Sequence, residues 1–485
     1  MSVSSLRTLC GAFLLTVVCF GALSTAHGGQ LAAFTSNWTL NPEVSSAIAT
    51  GDFDHDGRVD LAYTDNIANT ITVFSSTGTI GVYPTGNSPD QVANLNGNLA
   101  VMNSKDLFIT VLLNYGDPFT VGTPIPLAGS PIAITAVDLN RDGISDLAVI
   151  DCASNCSLQT FFQNTSGAFT LSQTLPLPTG PSTYKRLMGT ADLNLDGWPD
   201  LVLFSGDLRL MTFTGSTGGQ LHTYSWYDLP AGTVATSMSI ASFGPDLPPD
   251  LVVRVIDPCG ASCSYTNHVD LFSGIGLGSF AFNGQVAIKA SSSGGLIVAA
   301  DINNDQAQDF VTVSSDPNAP AVQYSMGHGY AAFDPVVTFS ASPGTYPDKP
   351  TDMLVRDMNL DSRRDIVVAT SDALGNDYAG IFTLMNNTSK SNCSSPDARN
   401  LAISLCSPMA NSTIKSPVTI QAVANGPNGV KRIDLWVDGV KQQQLWSDQT
   451  WTQVTLPVGR HSIGLVAFDQ NDVTASTQPV SLTVK

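Results

Sequence analysis

One nine-residue unit, Asp-x-Asx-x-Asp-x-x-x-Asp running straight into an apolar strand, recurs along this chain and constrains its fold more than any other feature. Full copies run from Asp52 to Asp60, Asp138 to Asp146, Asp192 to Asp200, Asp301 to Asp309 and Asp357 to Asp365. The strands behind them open Leu61-Ala62-Tyr63, Leu147-Ala148-Val149, Leu201-Val202-Leu203, Phe310-Val311-Thr312 and Ile366-Val367-Val368. A worn copy spans Ser242 to Asp250, and a shortened one Asn94 to Asn98. Starts at 52, 94, 138, 192, 242, 301 and 357 lie 42 to 59 residues apart, which is the length of a four-stranded sheet with loops of varying size. The spacing predicts seven such units. Low Lys and Glu with abundant Thr, Ser, Val, Gly and Asn fits an all-β chain.

Within a unit, a second strand gives way to a Gly-x-Phe opening of an outer strand, as at Gly167-Ala168-Phe169 and Gly278-Ser279-Phe280. The last unit ends at Ile381 to Asn386 without one, while Leu31-Ala32-Ala33-Phe34 stands ahead of the first loop. Residues 31–40 are therefore expected to complete the last unit and close a ring, leaving only short sheet edges. Loop, strand and spacing together resemble the FG-GAP, or VCBS-type, repeats of integrin α-subunits and of many bacterial secreted proteins. The resemblance covers residues 30–389 and implies a seven-bladed β-propeller. It departs from the family at the units beginning at 94 and 242. No inserted metal-dependent adhesion domain or Asp-x-Ser-x-Ser motif is present, so integrin-style ligand capture is not implied.

Calcium takes six to eight hard oxygen ligands, and a loop offering side-chain oxygens at positions 1, 3, 5 and 9 with a backbone carbonyl at 7 can wrap them round one ion. The expected ligands of the first loop are Asp52, Asp54, Asp56 and Asp60, with the carbonyl of Arg58. The second offers Asp138, Asn140, Asp142, Asp146 and the carbonyl of Ile144; the third Asp192, Asn194, Asp196, Asp200 and that of Trp198. The fourth offers Asp301, Asn303, Asp305 and Asp309; the fifth Asp357, Asn359, Asp361, Asp365 and the carbonyl of Arg363. Gly57, Gly143 and Gly197 take the sharp turn at position 6, as in an EF-hand, but position 12 holds Tyr63, Val149, Leu203, Thr312 or Val368 where an EF-hand needs Glu. Gln306 and Ser362 replace the glycine in the last two loops and make the turn harder, whereas Ser242 and Gly244 cost the worn copy two ligands. About five structural calcium ions are expected.

Arg7, the apolar run Leu9 to Leu23 and the small residues Ser24-Thr25-Ala26 read as a cleaved signal peptide over residues 1–26, placing the mature protein outside the cell, in the periplasm or on the cell surface. No later segment is long and apolar enough to span a bilayer. Of eight cysteines, six fall after the leader in near pairs, Cys152/Cys156, Cys259/Cys263 and Cys393/Cys406, which suits three local disulfides. A formal net charge of −19 excludes the basic footprint that nucleic acid needs.

Residues 390–399 read as a polar linker, and residues 400–485 as short alternating strands separated by Asn428-Gly429, Asp438-Gly439 and Pro457-Val458-Gly459. Ile433 to Gly439 resembles a bacterial immunoglobulin-like sandwich, which implies a spacer or attachment module. His-Glu-x-x-His, Gly-x-Ser-x-Gly and phosphate-binding glycine loops are missing from the chain. The expected function is recognition or adhesion toward an extracellular protein or glycan, not catalysis. The alternatives are a calcium-dependent polysaccharide lyase and a structural surface or matrix component. Trp226, Trp436, Trp446 and Trp451 could stack on sugar, with core packing the expected role.

Overall fold

The computed structural model describes residues 17–18, 34–40, 45–75, 78–114, 119–178, 187–205, 209–230, 233–243, 248–257, 266–288, 295–303, 307–314, 322–327, 333, 336–339, 349–359, 363–371, 380–386, 396, 399–446 and 448–485. Among them the chain is all β, without a helix. No helix is long and apolar enough to cross a membrane. Cys259, Cys263, Cys393, Asp305 and Asp361 lie outside the described residues, as do residues 1–26 apart from Val17–Val18, which pair with Ser36 and Thr35.

Residues 45–371 form antiparallel sheets in which strands follow one another in chain order. In each, the repeat loop joins the first strand to the second: Ser130–Val137 runs into the loop beginning at Asp138, and Asp146–Cys152 leaves it. Phe169–Pro176 and Phe280–Ala287 begin at their Gly-x-Phe phenylalanines and form outer strands. Phe34–Leu40 joins the last of these sheets by pairing with Gly380–Asn386. The N-terminal segment thus supplies an outer strand to a sheet built from the far end of the repeats.

First strands of successive sheets pack side by side. Ser45–Gly51 lies against Pro89–Leu95, followed by Ser130–Val137, Met188–Ala191, Val234–Ala241, Gly295–Ala300 and Lys349–Arg356, which returns to Ser45–Gly51. Side chains pin these seams to neighbouring backbones, because each first strand already pairs with its own sheet on one side only. Ile48 N–H donates to Asp352 Oδ2 (2.9 Å), Ile134 N–H to Gln91 Oε1 (3.0 Å) and Ile297 N–H to the Ser237 hydroxyl (3.0 Å). Between sheets the second strands bury continuous apolar runs, such as Leu147 to Ile150 and Leu201 to Phe204, each fully inaccessible.

Cys152 and Cys156 face each other across a hairpin and are disulfide-bonded. Cys406 is disulfide-bonded as well. Closing so short a loop contributes roughly 2 kcal/mol in the chain-entropy account. Cys152→Ser should lower unfolding free energy by about that amount without altering the fold, as read by denaturant titration with far-UV dichroism.

The C-terminal region packs a three-stranded sheet, Ala402–Ser407, Val418–Asn425 and Gln449–Val454, on a second sheet centred on Val430–Val437 and Gly459–Asp469. Val418, Ile420, Ala422, Ile433, Leu435, Ile463 and Leu465 fill the space between them. Asp438 and Gly439 both adopt positive φ (51° and 78°), making the tight hairpin turn into Val440–Leu445 that an Asp-Gly pair favours.

Candidate metal centre

Each repeat loop has to reverse the chain within a few residues, and the turn is taken at two positions. Position 4 adopts positive φ in the first three loops (His55 60°, Arg141 63°, Leu195 61°), and position 6 does so with glycine (Gly57 80°, Gly143 86°, Gly197 88°). Side-chain oxygens compensate the strain by capturing the N–H groups that the turn points inward. Gly57 N–H donates to Asp52 Oδ2 at 3.0 Å, Gly143 N–H to Asp138 Oδ2 at 2.9 Å and Gly197 N–H to Asp192 Oδ2 at 2.8 Å.

Position 9 does something that the spacing alone does not disclose. One oxygen of its carboxylate accepts the N–H of position 2: Phe53 to Asp60 (2.7 Å), Leu139 to Asp146 (3.0 Å), Leu193 to Asp200 (2.7 Å), Ile302 to Asp309 (2.9 Å) and Met358 to Asp365 (2.9 Å). In all but the first loop the other oxygen accepts an N–H from the third strand of the sheet or just beyond it, from Gln163, Gly215, Gly327 or Asn386, at 2.7 to 2.9 Å. The worn copy keeps both bonds, Phe243 (2.8 Å) and Gly274 (3.0 Å) to Asp250. In the shortened copy, Asn98 Oδ1 accepts Asn114 N–H at 2.7 Å. The ninth residue is therefore a clamp between loop and sheet whether or not the other ligands are present. The retention of Asp250 in a loop that had lost two ligands was the available sequence signal.

The first loop departs from this pattern. Carboxylate oxygens of Asp52, Asp54 and Asp60 lie within 4.8 Å of one another. Ligands on opposite sides of one calcium ion stand about 4.8 Å apart, so this triangle can straddle an ion. Asp52 Oδ1 and Asp60 Oδ1 are buried without a hydrogen-bond partner. Orphaned buried carboxylate oxygens are costly unless a proton or cation satisfies them. An all-oxygen set of this kind suits a hard divalent cation. Asp56 stands exposed, 3.8 Å from Arg58 Nε.

In the second and third loops Asn140 Nδ2 donates to Asp142 (3.0 Å) and Asn194 Nδ2 to Asp196 (2.9 Å), which draws positions 3 and 5 together. Asp301 and Asn303 of the fourth loop and Asp357 of the fifth are buried. Burial is the chief cause pushing the carboxyls of Asp60, Asp146 and Asp200 up to about 7, and it also raises Asp52, Asp138 and Asp192.

The C-terminal sandwich meets this loop rim, a contact that nothing in the repeat spacing foretells. Gln444 Nε2 donates to Asp192 Oδ2 (3.1 Å), Asn425 Nδ2 to Asp357 Oδ2 (3.4 Å), and Trp446 N–H to the hydroxyl of Ser242 (3.2 Å). Trp446, 6% exposed, packs in one cluster with Leu193 and Leu251, and Asp448 forms an ion pair with Arg364. Trp226 corrects the expectation of core packing: it is 61% exposed on an outer strand beneath the Arg209 guanidinium.

At the other end of the ring a cavity of about 540 Å³ is lined by Asp90, Ile132, Met188, Met238, Leu296 and Asp352 among others. These residues sit near the beginnings of first strands, a strand's length from the loops, at the end where the Cys152–Cys156 hairpin also turns.

Residues 402–464 match the family Bacterial Ig domain. The bacterial Ig domain thus coincides with the sandwich that touches the loops. No curated protein matches the sequence. Among solved structures, BBS1N in complex with ARL6DN is similar over 75% of this chain and 99% of that one, at 12% identity and a TM-score of 0.49 in the mercury-soaked form and 0.48 in the lead-soaked form. A functionally unknown protein from Desulfotomaculum acetoxidans DSM 771 is similar over 67% of this chain and 98% of that one, at 12% identity and a TM-score of 0.43.

Proposed function

We propose that this is an exported, calcium-binding recognition protein whose repeats form a seven-bladed propeller of the FG-GAP/VCBS type, with an extracellular protein or glycan as its ligand. Calcium would occupy the first loop through Asp52, Asp54 and Asp60 and supply the positive charge that their buried oxygens lack. The four other full loops would hold the ion through the corresponding oxygens and so stiffen the ring. Recognition is assigned to the end opposite the loops. The observation that carries it is the cavity there, where two carboxyls, several hydroxyls and the side chains of Met188 and Met238 line one concave surface. Such a mix of apolar wall and few polar groups is what ligand sites require. The loop end, by contrast, is partly covered by the bacterial Ig domain.

A glycan and extracellular-matrix array probed with the mature protein, in calcium and in chelator, tests this reading. Met238→Arg should cost a bound ligand more than about tenfold in affinity by placing a charge on the wall, while leaving calcium binding unchanged. An array silent in both buffers would count against recognition. Asp90 and Asp352 share the cavity, which is the specific observation for the polysaccharide-cleaving alternative. Release of unsaturated sugar from an acidic polysaccharide would favour it.

A further inference from the structure

The bacterial Ig domain does not merely adjoin the loops; two of its side-chain amides end on oxygens of the metal-ligand set. Gln444, buried at 6% exposure, reaches Asp192, position 1 of the third loop, and Asn425 reaches Asp357, position 1 of the fifth. Asp192 already accepts Gly197 N–H on Oδ2 and Asp196 N–H on Oδ1, so a further bond from another domain leaves the carboxylate little freedom and fixes its orientation within the loop. Ser242, at position 1 of the worn loop, accepts Trp446 N–H in the same way. Three position-1 side chains, two expected ligands and one former ligand, are thus addressed by the same domain.

Charge adds a direction. Asp472 of the bacterial Ig domain and Asp138 of the second loop line one cavity of about 210 Å³ together with Asp192 and Gln444. Lys431 Nζ, 3.1 Å from both Asp472 oxygens, holds that carboxylate in place, and its charge still repels that of Asp138. Arg141, Lys431 and Arg432 line the same cavity, so the contact carries both signs, and a cation in the second loop would offset the Asp138 charge that Asp472 faces.

We propose that the bacterial Ig domain is a calcium-linked clamp, in which Gln444 and Asn425 act as positioning residues for Asp192 and Asp357 and metal binding and domain docking reinforce each other. The proposal rests on the calcium reading given above. By linkage, whatever factor docking contributes to calcium affinity, calcium returns to docking.

Trp198, at position 7 of the third loop, provides a local reporter, since terbium bound there would be sensitised by its indole. In the full-length mature chain, Gln444→Ala should raise the terbium concentration for half-maximal sensitised emission by about tenfold, the weight of one hydrogen bond to a charged oxygen. Gln444→Glu should raise it further, and Trp198→Phe should weaken the signal, leaving what Trp446 beside the same loop can sensitise. In parallel, small-angle scattering should show a larger maximum dimension in chelator that contracts again in calcium. If Gln444→Ala fails to fold by far-UV dichroism, Asn425→Ala tests the same coupling through calcium stoichiometry in equilibrium dialysis. An unchanged half-saturation in folded Gln444→Ala, or an unchanged maximum dimension in protein shown by atomic absorption to be calcium-free, overturns the clamp. Wild-type protein that binds no calcium at all overturns the underlying reading instead.

Discussion

Stripped of divalent cations, the protein should be most stable in mild acid and should lose stability as pH rises through about 7; excess calcium should reverse that trend. Asp60, Asp146 and Asp200 are buried carboxyls held at about 7 in the folded chain, chiefly by desolvation, against an ordinary value of 3.8. Between those two values the folded state keeps protons that the unfolded state has released, so stability falls with rising pH over that window and the loss is complete above it. Ionising one such group in place costs on the order of 4 kcal/mol. Calcium, bound as proposed, would need the ionised form, compete with the proton and stabilise the fold by roughly 2.7 kcal/mol per site at a hundredfold excess over its dissociation constant. Melting temperatures at pH 5 and pH 8, each in chelator and in calcium, decide the matter. Equal melting at pH 8 in both buffers would sink the expectation.

Asp250→Ala should destabilise the protein by about 4 kcal/mol, and by the same amount in chelator as in calcium. Asp250 is 3% exposed and accepts two backbone N–H groups, from Phe243 and Gly274, which the alanine would leave buried and unpaired at about 1–3 kcal/mol each. Asp54→Ala is the counterpart. Its side chain is half-buried and accepts only the Asp56 N–H in the loop, so in chelator the substitution should cost less than about 1 kcal/mol and in calcium several times that. Denaturant unfolding of both variants in both buffers separates a clamp from a ligand. A calcium-dependent loss in Asp250→Ala would show that the ninth position acts through metal even where the loop is worn.

Much of this architecture was legible because one stretch of sequence marks every sheet at the same point. The Asp-rich loop fixes where the first strand ends and the second begins, and Phe169 and Phe280 mark where outer strands open. The pairing of Phe34–Leu40 with Gly380–Asn386 followed from a missing strand at one end and an unassigned one at the other. The double use of the ninth carboxylate was hidden, since a ligand and a backbone clamp ask for the same residue type. Gln444 and Asn425 were hidden for a different reason: they lie in another domain, belong to no period and reach the loops only through tertiary packing. Trp226 was misjudged because outer strands bury one face only partly, and an aromatic there can remain in solvent under an arginine.

The strand pair between Phe34–Leu40 and Gly380–Asn386 joins residues at least 340 positions apart in the chain. During synthesis the first of these segments must wait, unpaired, while nearly all the sheets emerge behind it, and the last sheet in turn stays one strand short until it arrives. So distant a contact forms late, after many local hairpins, and the open edge it leaves is the natural place for two unfinished chains to join by mistake. Folding of this protein is therefore best served by dilution while its chains are incomplete, with the ring completing itself in a single final step.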